Sequence, residues 1–118
     1  MNFLPAIRLF SLLVLGLVTA QAQTTNNFTG ASGGYWHVAT NWSLGTVPTT
    51  NTSVLINSNS TVNITASSFG GAVTLRGNDA RINVLLNVPL TASQIELTGG
   101  PGNNVPIYMD AGTLNLNG

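Results

Sequence analysis

Short apolar/polar alternations recur through most of this chain, each closed by a Gly- or Asn-rich corner. Val62 and Ile64, Val73 and Leu75, Ile82 and Val84, Ile95 and Leu97, and Leu114 and Leu116 are each separated by one polar residue. Successive side chains of a strand point to opposite faces, so this spacing turns one apolar set inward and one polar set outward. Strands are therefore expected over 53–57, 61–65, 72–76, 80–85, 94–98, 105–109 and 113–116. Asn57-Ser58-Asn59, Gly70-Gly71, Gly77-Asn78-Asp79 and the run 99–104 separate them, and such residues tolerate positive φ at corners. After Val18 no stretch has a 3.6-residue apolar period long enough for a helix.

Two of these units line up with one another. Val73-Thr74-Leu75-Arg76-Gly77-Asn78, followed by Ile82-Asn83-Val84, matches Ile95-Glu96-Leu97-Thr98-Gly99-Gly100, followed by Ile107-Tyr108-Met109. The offset is 22 residues for the first strand and 25 for the second, with the Gly-rich corner absorbing the difference. A repeat of about 20–25 residues holding two or three short strands is the signature of a coil in a parallel solenoid. The expected fold is all-β, a right-handed parallel β-helix segment. An antiparallel sandwich is the competing fold, since it too has short strands at regular spacing. Asn-rich corners and a sequence that stops in mid-pattern favour the β-helix.

The first 22 residues read as a signal peptide. Arg8 supplies the positive charge, Leu9 to Val18 the apolar core, and Thr19-Ala20-Gln21-Ala22 the small residues before cleavage. An apolar run of about ten residues is too short for the roughly 20 of a spanning helix. No Cys lies near the cleavage site to carry a lipoprotein anchor. The expected layout is a signal peptide over 1–22, an N-terminal cap with its lead-in loop over 23–52, and solenoid coils over 53–118. The polar stretch 23–34 shows no convincing period.

Only 5% of the residues are charged and the net charge is zero. That disfavours a nucleic-acid face, which needs a basic stripe, and a membrane-surface patch. With no Cys there is no disulfide framework despite the export signal. Stability then has to come from stacked backbone ladders and side-chain packing.

Both tryptophans fall in Trp36-His37-Val38-Ala39-Thr40-Asn41-Trp42-Ser43-Leu44-Gly45-Thr46-Val47-Pro48. This tract, followed by an Asn/Thr loop and then Val54-Leu55-Ile56, resembles the N-terminal region of large secreted bacterial proteins with autotransporter-associated β-strand repeats. Such chains often bear C-terminal sorting signals. The resemblance implies a β-helical, passenger-like or surface-exposed structural protein, and it implies no catalytic residues. Partners would be cell-surface polysaccharide or neighbouring surface proteins, with no nucleic acid and no membrane span in the mature chain.

Trp36 and Trp42 are the candidate ligand contacts, because an aromatic face suits the C–H face of a sugar ring. Their expected role is instead to close the open end of the first coil, where exposed apolar core and unpaired edges would otherwise invite aggregation. His37, the single histidine, has no Cys and no neighbouring carboxylate with which to build a metal site. Asp79, Glu96 and Asp110 are the only carboxylates in the chain. Glu96 has the solvent phase of its strand, and Asp79, just before Arg81, fits a corner with a local ion pair. No paired carboxyls suited to glycoside hydrolysis emerge.

The run 99–105 superficially matches the calcium nonapeptide, but Asn104 stands where the carboxylate belongs. Five Asn-X-Ser/Thr matches, at Asn27, Asn41, Asn51, Asn59 and Asn63, are expected by chance in so Asn-rich a chain. Buried Asn ladders along the solenoid are the better reading of some of them. The expected function is a secreted or surface-exposed structural or adhesive scaffold that is not an enzyme and uses no cofactor or metal. The alternative is a carbohydrate-binding or carbohydrate-active β-helix protein whose active coils lie further on.

Overall fold

The computed structural model describes residues 24–98 and 106–117. Among them are nine strands: β1 (Thr25–Asn27), β2 (Gly34–Tyr35), β3 (Ser53–Ile56), β4 (Thr61–Ile64), β5 (Ser68–Arg76), β6 (Arg81–Val84), β7 (Pro89–Thr98), β8 (Ile107–Met109) and β9 (Thr113–Leu116). One 3-10 turn, Ala39–Asn41, lies between β2 and β3. The residues 1–22 expected as a leader and the run 99–105 lie outside the described residues.

Strands consecutive in the chain never pair. The odd-numbered strands form one sheet in the order β1-β3-β5-β7-β9, and the even-numbered ones a second in the order β2-β4-β6-β8. Every strand pair is parallel. A tight hairpin cannot join parallel neighbours, so the chain crosses to the other sheet and back before it pairs with itself. The antiparallel sandwich is thereby ruled out. Among the described residues the one antiparallel contact is the isolated bridge between Phe28 and Trp42.

The register realises the repeat seen in the sequence. Val73 lies opposite Ile95, Leu75 opposite Leu97, Ile82 opposite Ile107, and Val84 opposite Met109. Strands β3, β4 and β6 share one pattern, in which every second residue is buried and the residues between are half-buried. Val54, Ile56, Val73, Leu75 and Leu90 of the first sheet meet Val62, Ile64, Ile82 and Val84 of the second in one core. Each such side chain contributes about 1.5–3 kcal/mol by leaving water. Parallel sheets are usually covered on both faces and read as continuous apolar runs. Here each sheet is covered on one face only, so its strands alternate instead.

Two corners differ from the sequence reading. Gly70-Gly71, expected to separate strands, lies inside β5, whose ladder to β7 runs from Ser68 to Arg76. What changes there is the phase: Ser68 and Gly70 are buried before it, and Gly71, Val73 and Leu75 after it. β7 switches in the same place, from buried Leu90 and Ala92 to half-buried Ile95. Gly70 is needed for space. A Cβ there would lie 2.9 Å from Val73 Cγ2, 3.3 Å from Val54 Cγ2 and 3.5 Å from Trp36 Cζ2.

The other difference is at the beginning, where the lead-in without a period already holds β1 and β2. Thr25–Asn27 pairs with Ser53–Leu55, and Gly34–Tyr35 pairs with Val62–Asn63. β7 also begins at Pro89, ahead of the strand expected over 94–98, whereas the corners at 57–59 and 77–79 behave as read. Asn59 and Asp79 take φ of 60° and 58° at equivalent places before β4 and β6, and Asn59 N–H donates to the Asn78 carbonyl at 2.9 Å.

Candidate functional site: the aromatic segment and the outer face beside it

β1 is an edge strand, and an edge strand leaves a row of backbone groups without partners. The chain returns to cover this one. Ser43 N–H donates to the Asn27 carbonyl at 2.8 Å, and the N–H groups of Thr29 and Gly30 donate to the Asn41 carbonyl at 2.8 and 3.2 Å. The Ser43 hydroxyl accepts from Asn27 N–H at 2.9 Å. Asn26, fully buried in the middle of β1, ties the two segments together. Its Nδ2 donates to the Thr46 carbonyl at 2.8 Å, and its Oδ1 accepts from Leu44 N–H at 3.0 Å and from the Ser43 hydroxyl at 3.4 Å. An amide replaces an apolar side chain at this inward position because it can satisfy backbone groups that no strand reaches.

Over this frame pack three rings. Trp36 and Trp42 meet edge-to-face with centroids 5.0 Å apart, and Phe28 meets Trp42 edge-to-face at 5.4 Å. Trp42 Nε1 donates to the Trp36 carbonyl at 2.7 Å. Trp36 is 0% exposed and Trp42 2%. Their faces are occupied by one another, by Phe28 and by the core, so neither offers a free face to a ligand. Trp36 Nε1 is buried and finds no acceptor among the described residues. Val47 packs against the same core, and Pro48 is buried at the end of the segment.

His37 points the other way. It is exposed, and its ring lies 5.5 Å from that of Tyr35, with 33° between the planes. Tyr35 belongs to a register column on the outer side of the second sheet: Tyr35 opposite Asn63, Asn63 opposite Asn83, and Asn83 opposite Tyr108. Asn83 Nδ2 donates to Asn63 Oδ1 at 3.0 Å, and Asn63 Nδ2 donates to the Gly33 carbonyl at 2.8 Å. An asparagine ladder thus exists, but on the half-buried outer side and not in the core as expected. The core positions of both strands are aliphatic, which leaves the amides only the opposite face.

The carboxylates stay apart in the chain. Asp79 sits at its corner, Glu96 is exposed on β7, and Asp110 is exposed just after β8. Among the described residues no group of three or more His, Cys, Asp or Glu side chains is placed to hold a metal ion. No helix among them is long and apolar enough to cross a membrane. Neither Asn26 nor the Tyr35–Tyr108 column stands out in the sequence, although the repeat alignment sets Asn83 against Tyr108. No family model, curated protein or solved structure matches this chain.

Proposed function

We propose that the chain is an exported structural scaffold: a right-handed parallel β-helix, closed at its N-terminal end by the aromatic segment, that displays a polar and nearly uncharged surface outside the cell. One observation carries the reading. Each strand pairs in parallel with the strand two places further on, which is how a chain winding in stacked coils pairs with itself. Right-handed winding follows from the near-universal hand of crossovers between parallel strands. The stitching of residues 41–46 onto β1 supports the closing role, since it occupies an edge that would otherwise recruit other chains.

The outward positions of the coils are mostly Thr, Asn, Ser and Gln with few charges, beside exposed Tyr35, Phe69 and Tyr108, and nothing in them suggests bond-breaking chemistry. The scaffold works by rigidity, holding a face toward wall, neighbour or substratum. Export is tested by expressing the full chain in a bacterial host, fractionating the cells, and reading the N-terminus by mass spectrometry. Cleavage after Ala22 and recovery outside the cytoplasm are expected. An intact leader in the cytoplasmic fraction would overturn the export part of the reading.

A further inference from the structure

We infer that the outer column Tyr35–Asn63–Asn83–Tyr108, extended at one end by His37, is a binding track for an uncharged, extended, β-linked polysaccharide. The inference deepens the scaffold reading by naming a partner, and rests on it for the extracellular setting. The chemistry of the column points to this occupant. At one end Tyr35 and His37 hold two exposed rings 5.5 Å apart and only 33° from parallel. At the other end Tyr108 is 52% exposed. Between them stand two amides and no charged or aliphatic side chain.

Neighbouring strands are about 4.8 Å apart, so three steps of the sheet set the outer rings about 14 Å apart in a straight line. That span suits a short stretch of flat sugar chain lying along the stacking direction. Sugar rings present C–H faces to aromatic rings and hydroxyls to amides. Both amides are already oriented, Asn83 by Asn63 and Asn63 by the Gly33 carbonyl. Each keeps a second N–H for a hydroxyl oxygen, and Asn83 Oδ1 has acceptor capacity for a hydroxyl proton. Little side-chain freedom is then lost on binding.

Two other partners fit less well. A protein interface would centre on a desolvated apolar patch, which this column lacks. An acidic polymer would need a cationic cluster, and the whole chain holds three Lys and Arg residues, with Arg81 alone in the adjoining column.

The test is a calorimetric or NMR titration of the folded chain with cellohexaose and chitohexaose, with polygalacturonate as the charged comparison. Saturable binding of a neutral hexasaccharide with Kd of about 0.1–1 mM is expected. Tyr35→Ala and Tyr108→Ala should each weaken it about 5-fold. The double substitution should remove it, and Tyr108→Phe should keep it, all with an unchanged thermal melt. Three results would overturn the track: no binding of either hexasaccharide by the folded protein, binding that survives the double substitution, or preference for polygalacturonate. None of these touches export, so track and scaffold fail separately.

Discussion

The two ends of the described stack solve the same problem with opposite thoroughness. At the β1 end, the edge is covered by residues 41–46, and Phe28, Trp36 and Trp42 are all buried. At the β8–β9 end the inward-phase positions are much less covered. Leu75 is 3% exposed while its register partner Leu97 is 57% exposed, and completely buried Val84 faces Met109 at 38%. Residue type is nearly constant along these columns, so the difference in burial comes from what lies above and below. An inward aliphatic side chain in stacked parallel strands depends on neighbours on both sides, and local sequence cannot supply them.

This contrast breaks or holds under substitution. The largest effect is expected for Trp42→Ala, which removes a ring, its bond to the Trp36 carbonyl and the cover over β1. A loss of about 3–5 kcal/mol in denaturant unfolding is expected, against about 0.5 kcal/mol or less for Leu97→Ala. Equal losses at the two positions would erase the comparison. Asn26→Ala comes next. It empties a fully buried position and leaves Leu44 N–H and the Thr46 carbonyl without their side-chain partner, and about 2 kcal/mol should be lost on the same measurement.

Gly70→Ala sharpens the picture of how Trp36 is seated. Crowding of Val73 and Val54 should cost about 1–3 kcal/mol, and tryptophan fluorescence should report a shifted indole. A finer distinction concerns the two indoles. Trp42→Phe should cost more than Trp36→Phe by about 1 kcal/mol, because among the described residues only the Trp42 indole N–H has an acceptor. The smallest effect is a gain. Leu86 is 70% exposed at φ 59°, a backbone region unfavourable for Leu, so Leu86→Asn should raise stability by about 0.5–1 kcal/mol.

Several ladders were legible in the sequence where inward aliphatic residues alternate with polar ones, but the first half of β7, with inward Leu90 and Ala92, lies ahead of the strand expected over 94–98. Alternation gave the phase of β4 and β6, and the internal repeat gave the β5–β7 and β6–β8 registers over the aligned residues. β1 was hidden because its inward residue is Asn26, which owes its place to hydrogen bonds from a segment some twenty positions away, and these leave no apolar period behind. The passage of β5 through Gly70-Gly71 was hidden for a related reason. Two glycines suit a turn between strands and equally suit a strand that must change phase beneath a large ring. In the aromatic segment, the burial of Trp36 and Trp42 followed from their size and the need to close an edge. Tyr35 and Tyr108 become neighbours on one track only through the register.

The asymmetry between the ends is tested most directly by native-state amide exchange on the folded chain. Thr29, Gly30, Ser43 and Leu44 are expected to exchange as slowly as the amides of β4 and β6, and those of β8 and β9 at least about ten times faster. Fast exchange at Ser43 and Leu44 together with protection of β9 would contradict it.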